Sequence, residues 1–288
     1  MDGILLVNKP QGISSREVVN RVSKYLKVKK VGHTGTLDPL AQGLLILCIG
    51  KATKIASLIS NYDKEYIAKG IMGIETDTLD LEGKVLFKEE LPNLTNEQFK
   101  KILKTFIGEI KQEVPKYSAL KIKGKRLYEY ARLNKEVKLP IRDVNIKRLE
   151  LISLSKNQNQ IKEFVTFCQV SKGTYIRSLI KDIGLKTGSR ATMTFLIRIK
   201  QGSFNINDSY SLENIKQGNY KLIKIIDVLD YPKIKVEDRL LKQVKNGGII
   251  KRFFEEEKAI IINKNKEPIA IYQTYEKDNN KVKPYIMF

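Results

Sequence analysis

With 288 residues and 42% apolar composition, the chain has material for one large domain or one domain plus a small appendage, which argues against wholesale disorder. Its 53 Lys and Arg against 32 Asp and Glu give a formal charge of +21, which favours a polyanionic partner, nucleic acid above all, although a general lysine-rich bias accounts for part of it. One histidine and two distant cysteines, Cys48 and Cys168, make no Cys/His metal cluster and no disulfide framework, and leave open only a carboxylate Mg²⁺ site. Without a signal peptide or an apolar run of membrane-span length, the expected setting is soluble and cytoplasmic.

Gly3 to Val7 reads as a short apolar strand, ended by the turn signal Asn8-Lys9-Pro10-Gln11-Gly12. Lys9 in that turn either meets phosphate or stays solvated. Ser14 with Glu17 forms a capping-box pattern, followed by Val18, Val22, Tyr25 and Leu26 on one helical face. Next comes VGHTGTLDPLAQGLL, from Val31 to Leu45, which sets glycines, a proline, His33 and Asp38 between two apolar runs. Pro39 biases Leu37-Asp38 away from helix, so Asp38 sits on a stiff turned loop, either displayed as a functional group or placed there as an ordinary turn residue.

Gly43 to Ile49 suits a buried strand and Ala52 to Ser60 a short helix. Asp63 to Gly70 is a strand candidate carrying Tyr66. The acidic stretch from Thr76 to Gly83 does not match an EF-hand and reads as a solvated loop. Thr95 with Gln98 opens a second capped helix with Phe99, Ile102, Leu103 and Phe106 on its apolar face, ending near Gly108.

In YSALKIKGKRLYEYAR, Tyr117 to Arg132, cations alternate with tyrosines. Such a segment either grips RNA through phosphates and stacked bases, or is an amphipathic helix with its tyrosines inward. Gln160 to Ser171 is strand-like and leads into a helix to about Lys186, with Tyr175 and Arg177 at the junction. Thr194 to Ile199 is another apolar strand. After Tyr231-Pro232, short β-like runs (Ala259 to Ile262, Pro268 to Tyr272) and the turn Asn246-Gly247-Gly248 suggest a small β domain.

Taken in order, LLVNKPQGISS, VGHTGTLDPLAQGLL, DKEYIAKG, KYSALKIKGKRLYEYAR and SKGTYIRSL closely resemble the bacterial tRNA pseudouridine-55 synthases, the TruB-type family, from about Ile4 to Ile199. The tail from about Ile234 resembles the PUA domain of that family only loosely. The resemblance implies an α+β pseudouridine synthase fold, with a mixed, mainly antiparallel sheet flanked by helices. It implies a catalytic domain over 1–232, with an RNA-gripping insertion at about 121–145, and a β-rich PUA-like RNA-binding domain over 233–288. The implied activity is isomerisation of uridine 55 in the tRNA T loop by base flipping, with tRNA-folding assistance as a further role. No cofactor, metal, guide RNA or obligate protein partner is expected, and the chain is expected to be a monomer; it contains neither a GxGxxG motif nor a P-loop.

By resemblance Asp38 is the essential carboxylate, and Arg177 the arginine that pairs with it and favours its charged form. Tyr66 resembles the tyrosine that stacks on the uracil and moves a proton at C5, while Tyr175 and Leu196 resemble further pocket walls. His33 matches the histidine that fills the gap left by the flipped nucleotide. Lys9 resembles a motif lysine supporting the catalytic loop, and Lys125, Arg126 and Arg132 fall in the segment that holds the T arm. One departure stands out: the family commonly follows the pocket leucine with two arginines, whereas Leu196 is followed by Ile197 and Arg198. Competing readings are an RNA-folding protein needing neither Asp38 nor Arg177, a guide-RNA-dependent relative, and a general nucleic-acid binder.

Overall fold

A computed structural model describes residues 1–133, 135–157 and 160–288. Eight strands named here build the central sheet: β1 (Gly3–Lys9), β2 (Val31–His33), β3 (Gln42–Ile49), β4 (Lys64–Met72), β5 (Gly108–Glu113), β6 (Ile141–Asn157), β7 (Gln160–Val170) and β8 (Ala191–Gln201). They run in the order β1-β3-β8-β4-β7-β6-β5, with β2 added to β3 and a short strand Phe204–Asn205 folding back against the end of β8. Every pairing is antiparallel except β3 with β8, so the expected mixed, mainly antiparallel sheet is observed. The helices α1 (Ser15–Leu26), α2 (Asn96–Lys104) and α3 (Ile176–Lys186) supply apolar residues to the core of one face, through Val18 and Val22, Phe99 and Leu103, and Leu179 and Ile180.

Local signals fix most element starts. Thr95 and Gln98 form the complete capping box of α2. At α1 only half of the box forms: the Ser14 hydroxyl accepts from Glu17 N, but the Glu17 carboxylate pairs with Arg21 one turn on instead of reaching back. The expected turn Asn8–Gly12 begins two residues late, because Asn8 and Lys9 continue β1 opposite Leu44 and Gly43. The expected helix Ala52–Ser60 is a 3₁₀ turn, Gly50–Ile55, followed by the α-turn Ala56–Ser60. The cation–tyrosine segment is neither one long helix nor a free loop. It folds as a hairpin, Lys121–Ile122 against Lys125–Arg126, and a short helix, Leu127–Arg132. The expected insertion, about 121–145, includes residue 134, outside the described residues, and from Ile141 onward it is β6 of the central sheet.

The acidic stretch Thr76–Gly83 departs most from expectation. It is not a solvated loop, since Thr76 and Asp80 are both buried. Tertiary partners override its composition, as the next subsection describes.

The tail forms a second sheet of β9 (Lys233–Lys235), β10 (Ile250–Lys251), β11 (Lys258–Ile262), β12 (Pro268–Tyr275) and β13 (Asp278–Met287), ordered β9-β11-β12-β13-β10. A helix the strand-like texture did not announce, α4 (Asp238–Lys245), covers one face. The other face is not free. Ile260, Ile262 and Ile271 join Ile4, Leu6, Leu44, Ile46 and Cys48 of the central sheet in one hydrophobic cluster, bridged by Ile225, Val228 and Leu229.

The parallel contact of β3 with β8 sets Gly43 opposite Arg198 at φ +100°. A Cβ there would lie 2.4 Å from the Arg198 carbonyl oxygen, so only glycine lets the strands close. Gly43→Ala is expected to cost about 2 kcal/mol or more, through positive-φ strain and backbone overlap, read as a lower denaturant midpoint.

Candidate active site

Asp38 lies on the segment between β2 and β3, and backbone contacts from both sides fix that segment. The Ser15 hydroxyl accepts from Leu37 N at 2.8 Å and donates to Leu37 O at 2.9 Å. Gly12 N donates to Pro39 O, and Thr34 N to Ile46 O. From below, Lys9 Nζ donates to Ile13 O at 2.6 Å, Pro10 O at 2.9 Å and Pro39 O at 3.4 Å. Lys9 is fully buried and not solvated; desolvation pulls its ammonium down to about 8, against the pull of Asp38. It ties the turn after β1 to the segment that carries Asp38.

Arg177 arrives from the first turn of α3. Its Nε meets Asp38 Oδ2 at 2.9 Å, its Nη1 donates to Thr78 O at 2.8 Å, and its Nη2 donates to Tyr117 O at 2.9 Å. Asp80 Oδ2 stands 3.6 Å from Nη1, and both side chains of that pair are about 95% buried. The start of α3 is itself docked on β5, with Tyr175 N donating to Gln112 Oε1 at 2.7 Å and Ser178 Oγ to Glu113 O at 2.8 Å. Every face of the guanidinium is committed, so its direction is set before any ligand arrives. Asp38 retains 35% exposure of its side chain.

Burial pushes the Asp38 carboxyl above the usual carboxylate range; Arg177 pulls it back, Asp80 adds to the rise, and Lys9 again opposes it. Arg177 is expected to favour the charged form of Asp38. The arginine acts in that sense, but desolvation outweighs it.

Tyr66 on β4 pairs across strands with Arg198 on β8, and Ala68 with Leu196. Cross-strand partners share a face, which puts Tyr66, Leu196 and Arg198 side by side, all buried. Ile197 points to the opposite face, so the departure from two arginines does not alter this row. His33, on β2, has a buried Nδ1 without a hydrogen-bond partner, and burial with the charges of Arg198 and Arg16 lowers its pKa, favouring neutral imidazole. Tyr175 holds the N-cap position of α3, two residues before Arg177, and is half-buried.

Lys125, Arg126 and Arg132 are exposed. The guanidiniums of Arg126 and Arg132 lie 5.8 and 5.3 Å from the Tyr128 ring centroid, giving a cationic and aromatic surface on the short helix. Tyr128 N donates to Ser118 O, next to the Tyr117 carbonyl that receives Arg177, so this surface is wired to the site through two adjacent residues. Sequence reasoning missed Asp80, masked by its acidic neighbours, and Arg198, for which the only signal was its place two residues after Leu196.

A family model described as TruB family pseudouridylate synthase (N terminal domain) matches residues 23–176. The chain is 40% identical over 261 residues to a tRNA pseudouridine synthase B of Caldanaerobacter subterraneus, covering 91% of this chain and 90% of that protein. It is 36% identical over 295 residues to the protein of that name from Shouchella clausii, covering 99% and 98%. Among solved structures, an H/ACA RNP bound to a substrate RNA containing 2′-deoxyuridine has a chain that superposes with a TM-score of 0.68 at 21% identity, over 99% of this chain and 82% of that one. That likeness speaks to the fold.

Removing Arg177 strands Asp80 in the interior. Arg177→Met is expected to cost about 3–5 kcal/mol in urea unfolding, and Arg177→Met with Asp80→Leu to recover part of it, because the second change removes the unpaired buried charge.

Proposed function

The chain belongs to the TruB family of pseudouridylate synthases, and from that premise we propose that it converts uridine 55 in the T loop of tRNA to pseudouridine. We further propose that it acts in the cytoplasm as a monomer, on the T arm alone, without guide RNA or an obligate protein partner. The formal charge of +21 suits an RNA substrate, and relatives named tRNA pseudouridine synthase B favour tRNA.

The reaction breaks the C1′–N1 bond, turns the uracil and joins C5 to C1′, with no change of oxidation state. Among the described residues Asp38 is the one carboxylate that is both exposed enough to meet a sugar and held by a buried guanidinium, and this 2.9 Å pair is the observation that carries the proposal. Asp38 serves at the anomeric centre, adding to the sugar or base, or taking a proton from C2′. Arg177 aims it. Tyr66 meets the flipped uracil, Leu196 and Tyr175 wall the pocket, and His33 takes the place the nucleotide vacates, a neutral ring costing little in a stacked helix. Lys9 keeps the loop rigid. Lys125, Arg126 and Arg132 follow the phosphates of the T arm, and the PUA-like tail over 233–288 adds RNA contact.

Asp38→Asn is expected to abolish pseudouridine formation in a T-arm stem-loop while leaving RNA affinity in place, checked by mass mapping of the product and by filter binding. Retained turnover sinks the assignment. Because the carboxyl must be ionised and burial raises its pKa, the parent's single-turnover rate is expected to fall as pH drops through a value above the ordinary carboxylate range.

A further inference from the structure

Arg198 heads the fully buried side chains by volume, at 1% exposure, and among the described residues it forms no ion pair with a carboxylate. A guanidinium taken out of water needs compensation. Here the partners are uncharged: Nε donates to Leu44 O at 2.7 Å and Nη2 to Gly35 O at 3.1 Å, three residues before Asp38. A Cβ on Gly35 would stand 3.3 Å from Nη1, so the glycine lets the loop backbone lie against the guanidinium. The other neighbours that feel this charge, Lys9, His33 and Lys64, are basic groups whose pKa values it lowers. One acidic proton faces the same side of the sheet, that of Tyr66, the cross-strand partner of Arg198 on β4.

The chemistry proposed above has a proton balance that suits this pair. When C1′–N1 breaks, its electron pair stays on the uracil, and N1 must end with a proton. After the ring turns and C1′–C5 forms, C5 must lose one. Rotation brings C5 to the place N1 had occupied beside C1′, so one group fixed there can serve both atoms.

The resemblance already makes Tyr66 the group that moves a proton at C5; we propose that it first gives its phenolic proton to N1, and that Arg198 is the positioning residue whose buried charge sustains the intervening phenolate. In the first step the O–H bond breaks and N1–H forms. In the second the C5–H pair restores the C5=C6 double bond and the proton returns to the phenolate oxygen. Nothing is oxidised, reduced or consumed. Burial raises the Tyr66 phenol's pKa, as Cys168 and Asp38 also do to a lesser degree; the charge of Arg198 opposes them. Among the described residues Arg198 is the one cation that favours the Tyr66 phenolate.

This inference rests on the reading of Tyr66 as the uracil's partner, so its test begins with a measurement that needs no RNA. In the full chain carrying 3-fluorotyrosine at position 66, the ¹⁹F signal is titrated in the parent, in Arg198→Lys and in Arg198→Met. The phenol is expected to titrate lowest in the parent and highest in Arg198→Met, with Arg198→Lys between, since a lysine keeps the charge but not the fork. Single-turnover rates at saturating tRNA are then expected to fall about 10-fold for Arg198→Lys and about 100-fold for Arg198→Met, with tRNA affinity unchanged and the ratio flat below the phenol's pKa, because the proton that leaves Tyr66 stays on N1. If Arg198→Met does not fold, the lysine variant decides both measurements. An identical fluorine titration in the folded proteins overturns the proposal, as does a rate loss matched by lost affinity. Failure of Asp38 as the essential carboxylate would instead appear in Asp38→Asn, with the fluorine result untouched.

Discussion

The Arg177 guanidinium joins segments that have no local reason to meet. It ties the loop of Asp38, the acidic stretch around Thr78 and Asp80, and the Tyr117 carbonyl at the root of the cation–tyrosine segment. Taking such a charge out of water is costly unless its hydrogens are used, and here every nitrogen is engaged. The result is a carboxylate with a fixed direction and a pKa set by two opposed pulls of similar kind, burial against neighbouring cations. The role proposed for Asp38 needs both, since a fully solvated acid would lack direction and a fully buried one would lose its charge.

The same economy governs the other cations inside. Lys9 and Arg198 are satisfied almost wholly by backbone carbonyls, at Pro10, Ile13, Pro39, Gly35 and Leu44. Each links a strand of the central sheet to the loop bearing Asp38, so the loop's rigidity derives from the sheet and not from the loop's own turn chemistry. Sites borne on rigid elements keep their geometry more closely than sites borne on loops alone, and this loop is braced from both flanks. The tail shares in that bracing. Its sheet closes the far side of β1 and β3, the strands that carry Lys9 and lead out of the Asp38 segment.

Much of this was legible along the chain because it depends on neighbours in sequence. The α2 capping box, the buried β3 run and the turned Asp38 loop follow from propensity, periodicity and proline restriction, and the structure has each. The cation–tyrosine segment was only half legible: its aromatic–cation pairing was visible, but not the hairpin that starts it. The solvated readings of Lys9 and of Thr76–Gly83 failed for one reason. Composition reports what a residue prefers in water, whereas the partner that makes burial tolerable lies 30 residues away for the Lys9 contact with Pro39 and 99 for the Arg177 contact with Thr78.

By itself, then, the sequence determined the order and kind of the elements, the basic character that fits RNA, and the loop that displays Asp38. Tertiary structure alone decided that Asp80 stands behind Arg177, that Lys9 and Arg198 are interior charges, and that the tail shares a core with the catalytic sheet. The first set rests on interactions within a few residues, which periodicity and turn chemistry record. The second rests on desolvation and cross-strand register, and both come into being only when distant segments meet.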